Sequence, residues 1–432
     1  MERFGVPGVA VGLFHADTEE VAGFGVTSLE HPLPVDGDTL FQIGSITKTY
    51  TATAAMRLVE AGGLDLDKPV RIYLPDLRMA DDAVTRRVTM RHLLSHTGGW
   101  AGDYFDPIGR GDDAMTLMVA RLDRLEQLTP LGEVWSYNNA GFYIAGRVIE
   151  VITGKSFESA LQELVLKPLG LERSFFFADD VITHRFVVGH DRSGAVARPW
   201  SIGRPSAPLG GLITSVRDLL RYARLQCDPD GVLSRESLAE MRRPHADICG
   251  LPGDAVGLGW YLFERDRHSF IRHGGATNAQ LAHLVIAPED RFALAIVTNH
   301  DNGAALYTAV QNEVLRSVLG VEAPEDAYLD RSPDELLGYA GAYEAQLQTV
   351  TLAVVNGGLV LEATRKGGFP EPDTPPRPGP PPTRLAFTGK DAVVALDPPL
   401  RGNRGDFLRS SDGAINWFRY GGRLYRQREK IT

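Results

Sequence analysis

Ser45-Ile46-Thr47-Lys48 is the stretch of this 432-residue chain best equipped for covalent chemistry. A serine hydroxyl is a weak nucleophile until a nearby base takes its proton. Lysine can be that base when burial or another cation lowers its pKa, whereas arginine cannot deprotonate. Only 7 of the 45 basic residues are Lys, and Lys48 is the only one three positions after a Ser. Two later stretches carry matching chemistry. Tyr137-Asn138-Asn139 offers a phenol able to relay a proton and, two residues on, an amide able to bind substrate or hold the lysine. Arg272-His273-Gly274-Gly275-Ala276 sets a titratable ring beside two glycines that let substrate lie close to backbone. Each also has an ordinary structural reading: a capping serine with an exposed lysine, a core tyrosine, a turn histidine.

The elements that must position these residues follow from periodicity. After Ser45, the residues Ile46, Tyr50, Thr53, Met56 and Val59 recur at helical steps and Gly62 closes the helix, so Ser45 and Lys48 share a face. Residues 6–14 and 20–26 read as strands joined by a polar turn at Asp17-Thr18-Glu19-Glu20. The text from Gly63 to about residue 205 is helical and loop-rich. It includes a short helix at Thr89–Ser95 that breaks at His96-Thr97-Gly98-Gly99, an amphipathic helix over 141–152, and another over 157–166. Ser215-Val216-Arg217-Asp218 starts one more helix. Strands return at Leu284–Ala287 and Phe292–Val297, followed by a helix over 303–319. A sheet made by both ends, with helical text between, is an α/β core with an inserted, mostly helical subdomain. Polar, Pro-bearing text at 322–335 marks a boundary and divides the chain into residues 1–325 and 333–432. Beyond it lie seven short strands (349–355, 358–363, 384–387, 391–396, 406–409, 414–419, 423–426) and a Pro-rich loop, Pro370 to Pro382. This part reads as a small all-β barrel or sandwich.

Composition narrows the classes. A net charge of −10 and the absence of a basic run argue against nucleic acid as a partner. No apolar run reaches transmembrane length, and strand-like alternation at Val9, Val11 and Leu13 begins too early for a leader. Two cysteines, Cys227 and Cys249, make no disulfide framework. The expectation is a cytoplasmic protein with no membrane partner. His92 and His96 are spaced like zinc ligands, but the helix breaks at Gly98 and no carboxylate follows, so no metal or other cofactor is expected.

Taken together, these stretches resemble the penicillin-recognising serine hydrolases, in the branch of class C β-lactamases, D,D-peptidases, D-aminopeptidases and family VIII esterases. Ser45-Ile46-Thr47-Lys48 matches Ser-x-x-Lys, Tyr137-Asn138-Asn139 matches Tyr-x-Asn, and His273-Gly274-Gly275 stands where many members have Lys-Thr-Gly. The connecting text agrees at Leu93–Gly99, Gly210–Ser215 and Ile296–Asn299, and the likeness covers roughly residues 5–320. The N-terminal helix that members usually place before the first strand is missing. The strands beyond 333 are similar, in position and pattern, to the lipocalin-like barrel that some D-aminopeptidases and peptide-cyclising members append.

The resemblance implies a β-lactamase/transpeptidase-like antiparallel sheet flanked by helices. It also implies an acyl-enzyme on Ser45, with Lys48 or Tyr137 as general base. The oxyanion would lie between the backbone N–H groups of Ser45 and Ala276, and Asn139, His273, Gly274 and Gly275 would hold substrate. His273 in place of lysine implies weak or no β-lactamase activity, because a histidine at pH 7 is mostly neutral. If its ring faces a substrate carboxylate, binding should weaken as pH rises through about 6.5. The implied substrate is a small molecule or a short peptide, as an amide or an ester. An acyltransferase or peptide cyclase, and a non-catalytic penicillin-binding-like sensor, are the alternatives. Assembly as a homo-oligomer stays open.

Overall fold

β1 (Gly8–His15) pairs with β2 (Thr18–Gly25) through Ala16 and Asp17, both in the left-handed region with φ of 47° and 72°. Such two-residue turns match the twist of a hairpin. The turn is therefore tighter than the sequence reading had it, and Thr18, Glu19 and Glu20 already pair with His15, Phe14 and Leu13. This computed structural model describes residues 1–106, 108–229, 231–249, 253–369, 372–376 and 378–429.

The other strands of the sheet come from the far end of the first 320 residues. They are β3 (Tyr261–Arg265), β4 (His268–Ala276), β5 (Leu281–Ala287) and β6 (Phe292–Thr298). Their order is β2-β1-β6-β5-β4-β3, continued by the short strands Ala255–Val256 and Ala246–Asp247, and all named pairs are antiparallel. β6 is covered on both faces. Ala293, Ala295 and Val297 pack in one core with Val216, Leu219 and Leu220 of the helix Val216–Arg224. Phe292, Leu294 and Ile296 pack in another with Leu306, from the helix Gly303–Val314, and Leu315. A strand buried twice is written as an apolar run rather than an alternation.

The inserted subdomain is built around α1 (Thr47–Glu60) and α2 (Ala140–Thr153). Both are buried nearly all round: in α2, Tyr143, Ile144, Gly146 and Ile149 are buried as well as Phe142, Ala145 and Val148. The amphipathic face expected at 141–152 is thus only half of a central helix. The threonines of α1 fit such a site because their hydroxyls have partners: Thr49 donates to Ile46 O and Thr53 to Thr49 O.

Beyond the capped helix Pro333–Leu337, eight antiparallel strands close into a barrel. They are β7 (Gly341–Glu344), β8 (Gln348–Val355), β9 (Gly358–Arg365), β10 (Thr383–Phe387), β11 (Ala392–Ala395), β12 (Arg404–Arg409), β13 (Ile415–Tyr420) and β14 (Arg423–Glu429). β7 is the one barrel strand absent from the sequence reading. It pairs with both β8 and β14, which makes a barrel rather than a sandwich. Tyr343, Val350, Leu352, Leu361, Phe407 and Phe418 fill the interior. Pro370, Glu371 and Arg377 of the Pro-rich loop lie outside the described residues.

Candidate active site

Ser45 sits in a tight turn, Gly44–Ile46, that runs directly into α1. One helical turn on, Lys48 is completely buried, and its Nζ donates to Leu209 O at 2.7 Å and reaches Ser45 Oγ at 3.2 Å. The Leu209 carbonyl is brought there by the helix Ala207–Gly210, held against α1 through Thr51 Oγ1 donating to Pro208 O at 2.6 Å. Lys48 makes no salt bridge among the described residues. Burial holds its pKa well below the usual lysine value; Arg423 lowers it further and Asp103 acts in the opposite sense.

Tyr137 stands against this pair. Lys48 Nζ lies 5.0 Å from the centroid of its ring. The phenol oxygen is buried and makes no hydrogen bond of normal geometry to protein, while the Ser45 hydroxyl is among the groups acting on its acidity. Burial pushes the Tyr137 pKa far above that of free tyrosine. His96 locks this segment from behind. Its ring stacks on Tyr137 with centroids 4.5 Å apart, its Nδ1 accepts the Asn138 N–H at 3.0 Å, and its carbonyl accepts the Ser136 N–H. Asn138 is committed to structure, donating to Trp100 O and accepting from Gly141 N. Asn139 donates through Nδ2 to Asp103 Oδ1 at 2.7 Å.

β4 supplies the opposite wall. Its residues up to Arg272 pair with β3, but His273 to Ala276 pair only with β5, and their other edge faces the Ser45 turn. Glycine is required there. A Cβ on Gly275 would lie 1.8 Å from Ile43 O, and one on Gly44 (φ 49°) would lie 2.6 Å from Ala276 N. His273 lines the cleft, though almost fully buried. Its Nδ1–H donates to Gly274 O at 2.6 Å, which leaves Nε2 as a buried acceptor with no partner among the described residues. Burial first, then the neighbouring Lys48, take its pKa down to about 3. The ring is therefore neutral at physiological pH, and the pH-dependent carboxylate binding raised for a titrating His273 is no longer expected.

The cleft has a volume of about 840 Å³ and runs from Ser45 past Asn139 and His273 to the barrel mouth, at Gln348, Asn403 and Tyr425. The barrel also enters the site. Gly421 and Gly422, with φ of 54° and 77°, turn β13 into β14, and Gly422 O accepts the Tyr137 N–H at 2.7 Å. A Cβ on Gly422 would lie 3.0 Å from the Trp135 ring. Next to it, Arg423 pairs with Asp103 (Nε to Oδ2, 3.0 Å) and stacks 4.5 Å from the Tyr137 ring centroid. Sequence reasoning missed Asp103, Arg423 and Leu209, whose roles come from contacts across domains or through backbone. The hairpin itself was visible as two strands around Gly421-Gly422. His96 and His92, weighed as zinc ligands, take other partners; His92 Nδ1 contacts the Thr89 hydroxyl. Among the described residues no group of three or more His, Cys, Asp or Glu is placed to hold a metal ion, and no helix is long and apolar enough to cross a membrane.

This arrangement has counterparts in known proteins. A beta-lactamase family model matches residues 1–315. The chain belongs to the beta-lactamase family. This family holds serine hydrolases, with β-lactamases, esterases and penicillin-binding-protein-like members. Penicillin-binding protein 4 of Amycolatopsis lactamdurans is 35% identical over 358 residues, covering 79% of this chain and 94% of that protein. Esterase EstB of Burkholderia gladioli is 33% identical over 298 residues, covering 60% of this chain and 74% of that one. The crystal structure of SurE with D-Leu aligns with a TM-score of 0.76 and 26% identity over 99% of this chain and 96% of that one, so this likeness extends through the barrel.

Proposed function

We propose that the protein hydrolyses short peptide-like amides through an acyl-enzyme on Ser45, with D-residues as the preferred substrates and weak activity on β-lactams. The observation that carries the reading is Lys48. It is a buried amine without an ionic partner, 3.2 Å from a serine hydroxyl at the start of a helix. Burial favours the neutral amine, whose lone pair can accept the Ser45 proton. Tyr137, held protonated by its own burial, is then suited to be the acid rather than the base.

The steps follow from these states. Ser45 Oγ attacks the carbonyl carbon as its proton passes to Lys48. The tetrahedral oxyanion lies against the backbone N–H groups of Ser45 and Ala276, each worth about 2.7–4 kcal/mol when such a donor is removed. Tyr137 gives its proton to the leaving nitrogen as the C–N bond breaks, and is reprotonated from Lys48. Water then attacks the ester as neutral Lys48 takes its proton, and Lys48 returns that proton to Ser45 Oγ as the C–O bond breaks. Asn139 and the neutral Nε2 of His273 are polar contacts for the substrate. The preference for D-residues is supported by the likeness to a protein crystallised with D-Leu, and the neutral His273 supports weak recognition of a β-lactam carboxylate. A second reading, transfer of the acyl group to an amine, is favoured by the cleft that opens from Ser45 to the barrel mouth, about 840 Å³ in all, which admits an acceptor larger than water.

A panel of D- and L-aminoacyl p-nitroanilides, p-nitrophenyl esters and a chromogenic cephalosporin, each with and without an added amine, tests this. D-Aminoacyl amides should turn over fastest. Fastest turnover of the cephalosporin would overturn the peptidase reading, and of the ester would replace it with an esterase. Amide products formed from the added amine would favour transfer.

A further inference from the structure

The hairpin that turns β13 into β14 holds the Ser136–Tyr137 segment at two points. Gly422 O accepts the Tyr137 N–H, and the Leu424 N–H donates to Ser136 Oγ at 3.3 Å. Between these two contacts Arg423 reaches past the junction. Its Nε and a terminal nitrogen hold both oxygens of Asp103, at 3.0 and 3.2 Å. Asp103 Oδ1 also accepts Asn139 Nδ2, and the Asp103 N–H donates to Gln346 Oε1 of the barrel at 2.6 Å. Asp103 thus joins Asn139 to two barrel residues, Arg423 through its carboxylate and Gln346 through its backbone N–H.

We propose that Arg423 and Asp103 form a positioning pair for the hydrolytic site: they fix Tyr137 and Asn139 against Ser45, and set the charge around Lys48. This rests on the acyl-enzyme reading above and deepens it. Two features separate the pair from an ordinary brace. First, Arg423 and Lys48 lie over the same ring, at 4.5 and 5.0 Å from its centroid, so their charges interact at a range where salt screens incompletely. Second, the neighbouring junction pair Arg426–Glu126 makes, among the described residues, no hydrogen bond or ion pair to Ser45, Lys48, Tyr137 or Asn139. The titratable groups that bear on Lys48 are Ser45 and Tyr137 beside it, His96 behind the tyrosine, His273 on β4, and Asp103 with Arg423. The two histidines are held neutral by burial, so the ion pair is the part whose charge a substitution can change in either direction.

The test needs no natural substrate. The second-order rate of Ser45 labelling by an alkyl fluorophosphonate is followed against pH for the wild type, Arg423→Gln, Arg423→Lys, Asp103→Asn and Arg426→Gln. Labelling rises as Lys48 loses its proton. Removing the Arg423 charge favours protonated Lys48 and should move the acid limb up by about 0.5 to 1 pH unit. Asp103→Asn should move it down by a similar amount, and Arg423→Lys should keep the wild-type midpoint at a lower plateau. Arg426→Gln should overlay the wild type. Midpoints that stay fixed, or that move in the same direction for Arg423→Gln and Asp103→Asn, overturn the inference and leave the pair a brace. Wild-type protein that is not labelled at Ser45 overturns the acyl-enzyme reading itself, a result distinct from labelled proteins with fixed midpoints.

Discussion

Ser45 and Lys48 are neighbours because the turn Gly44–Ile46 runs straight into the first turn of α1, whereas Tyr137 and Arg423 meet only because the barrel is packed against the site. The first pair is local. Its geometry survives as long as α1 does, and α1 lies in the main core. The second depends on a hairpin of two glycines, a backbone hydrogen bond and an ion pair across the junction. The lesson is that nucleophile activation and active-site assembly are carried by different parts of the chain and should fail separately.

The largest effects should come from the local pair. Ser45→Ala should fold normally and reduce turnover by about 10⁴-fold or more, since the covalent step is lost. Lys48→Arg should be nearly as inactive as Lys48→Ala, about 10²- to 10⁴-fold below wild type, because a guanidinium keeps the charge but cannot accept a proton. Steady-state kcat on the best substrate of the panel reads both. An Arg variant with a tenth of the wild-type rate would make Lys48 an electrostatic support.

The junction should give an intermediate effect, and two glycines sharpen it. Gly422 and Gly357 both have φ near 78° in hairpin turns, but a Cβ meets Trp135 only at Gly422. Alanine should cost each about 1 to 2 kcal/mol of backbone strain. Only Gly422→Ala should also displace Tyr137, lowering kcat about tenfold or more. Thermal melts paired with kinetics check this, and equal activities for the two variants would separate the hairpin from the chemistry. The same comparison bears on domain division: we propose that residues 1–325 and 333–432 are distinct units, and limited proteolysis should cut first near 322–335 or within 370–382, before any site in α1.

How much of this was legible in the sequence follows the same line. Helical spacing exposed Ser45 and Lys48, and turn-bounded apolar runs exposed β5, β6 and most of the barrel. Motif resemblance then drew in Tyr137 and His273. Asp103 and Arg423 are 320 positions apart, and no local pattern marks either. The downward shift of the His273 pKa was illegible for a related reason: residue type gives only the ordinary imidazole value, whereas burial is a property of the folded cleft. β4 was missed because His273, Gly274 and Gly275 break the apolar pattern where the strand edge must accept the Ser45 turn.

His273 gives the smallest effect at neutral pH and shows itself only in acid. Its pKa is lowered on folding to about 3, so between that value and about 6.5 the unfolded chain binds the proton more readily. Stability from this group is therefore full above pH 6.5 and is lost as pH falls, by up to about 1.4 kcal/mol per unit. His273→Asn should flatten that part of the stability–pH curve in urea melts. KM for a carboxylate-bearing substrate should stay level through pH 6.5 in the wild type, and a rise there would mean the ring titrates in the cleft.

The central claim is that Ser45 forms the covalent intermediate with help from a neutral Lys48. Peptide mapping by mass spectrometry after rapid acid quench of a slow acyl donor tests it most directly. The account predicts one acyl group on the peptide holding Ser45, absent in Ser45→Ala and strongly diminished in Lys48→Arg. An adduct on another residue, or one that persists in Ser45→Ala, would contradict it.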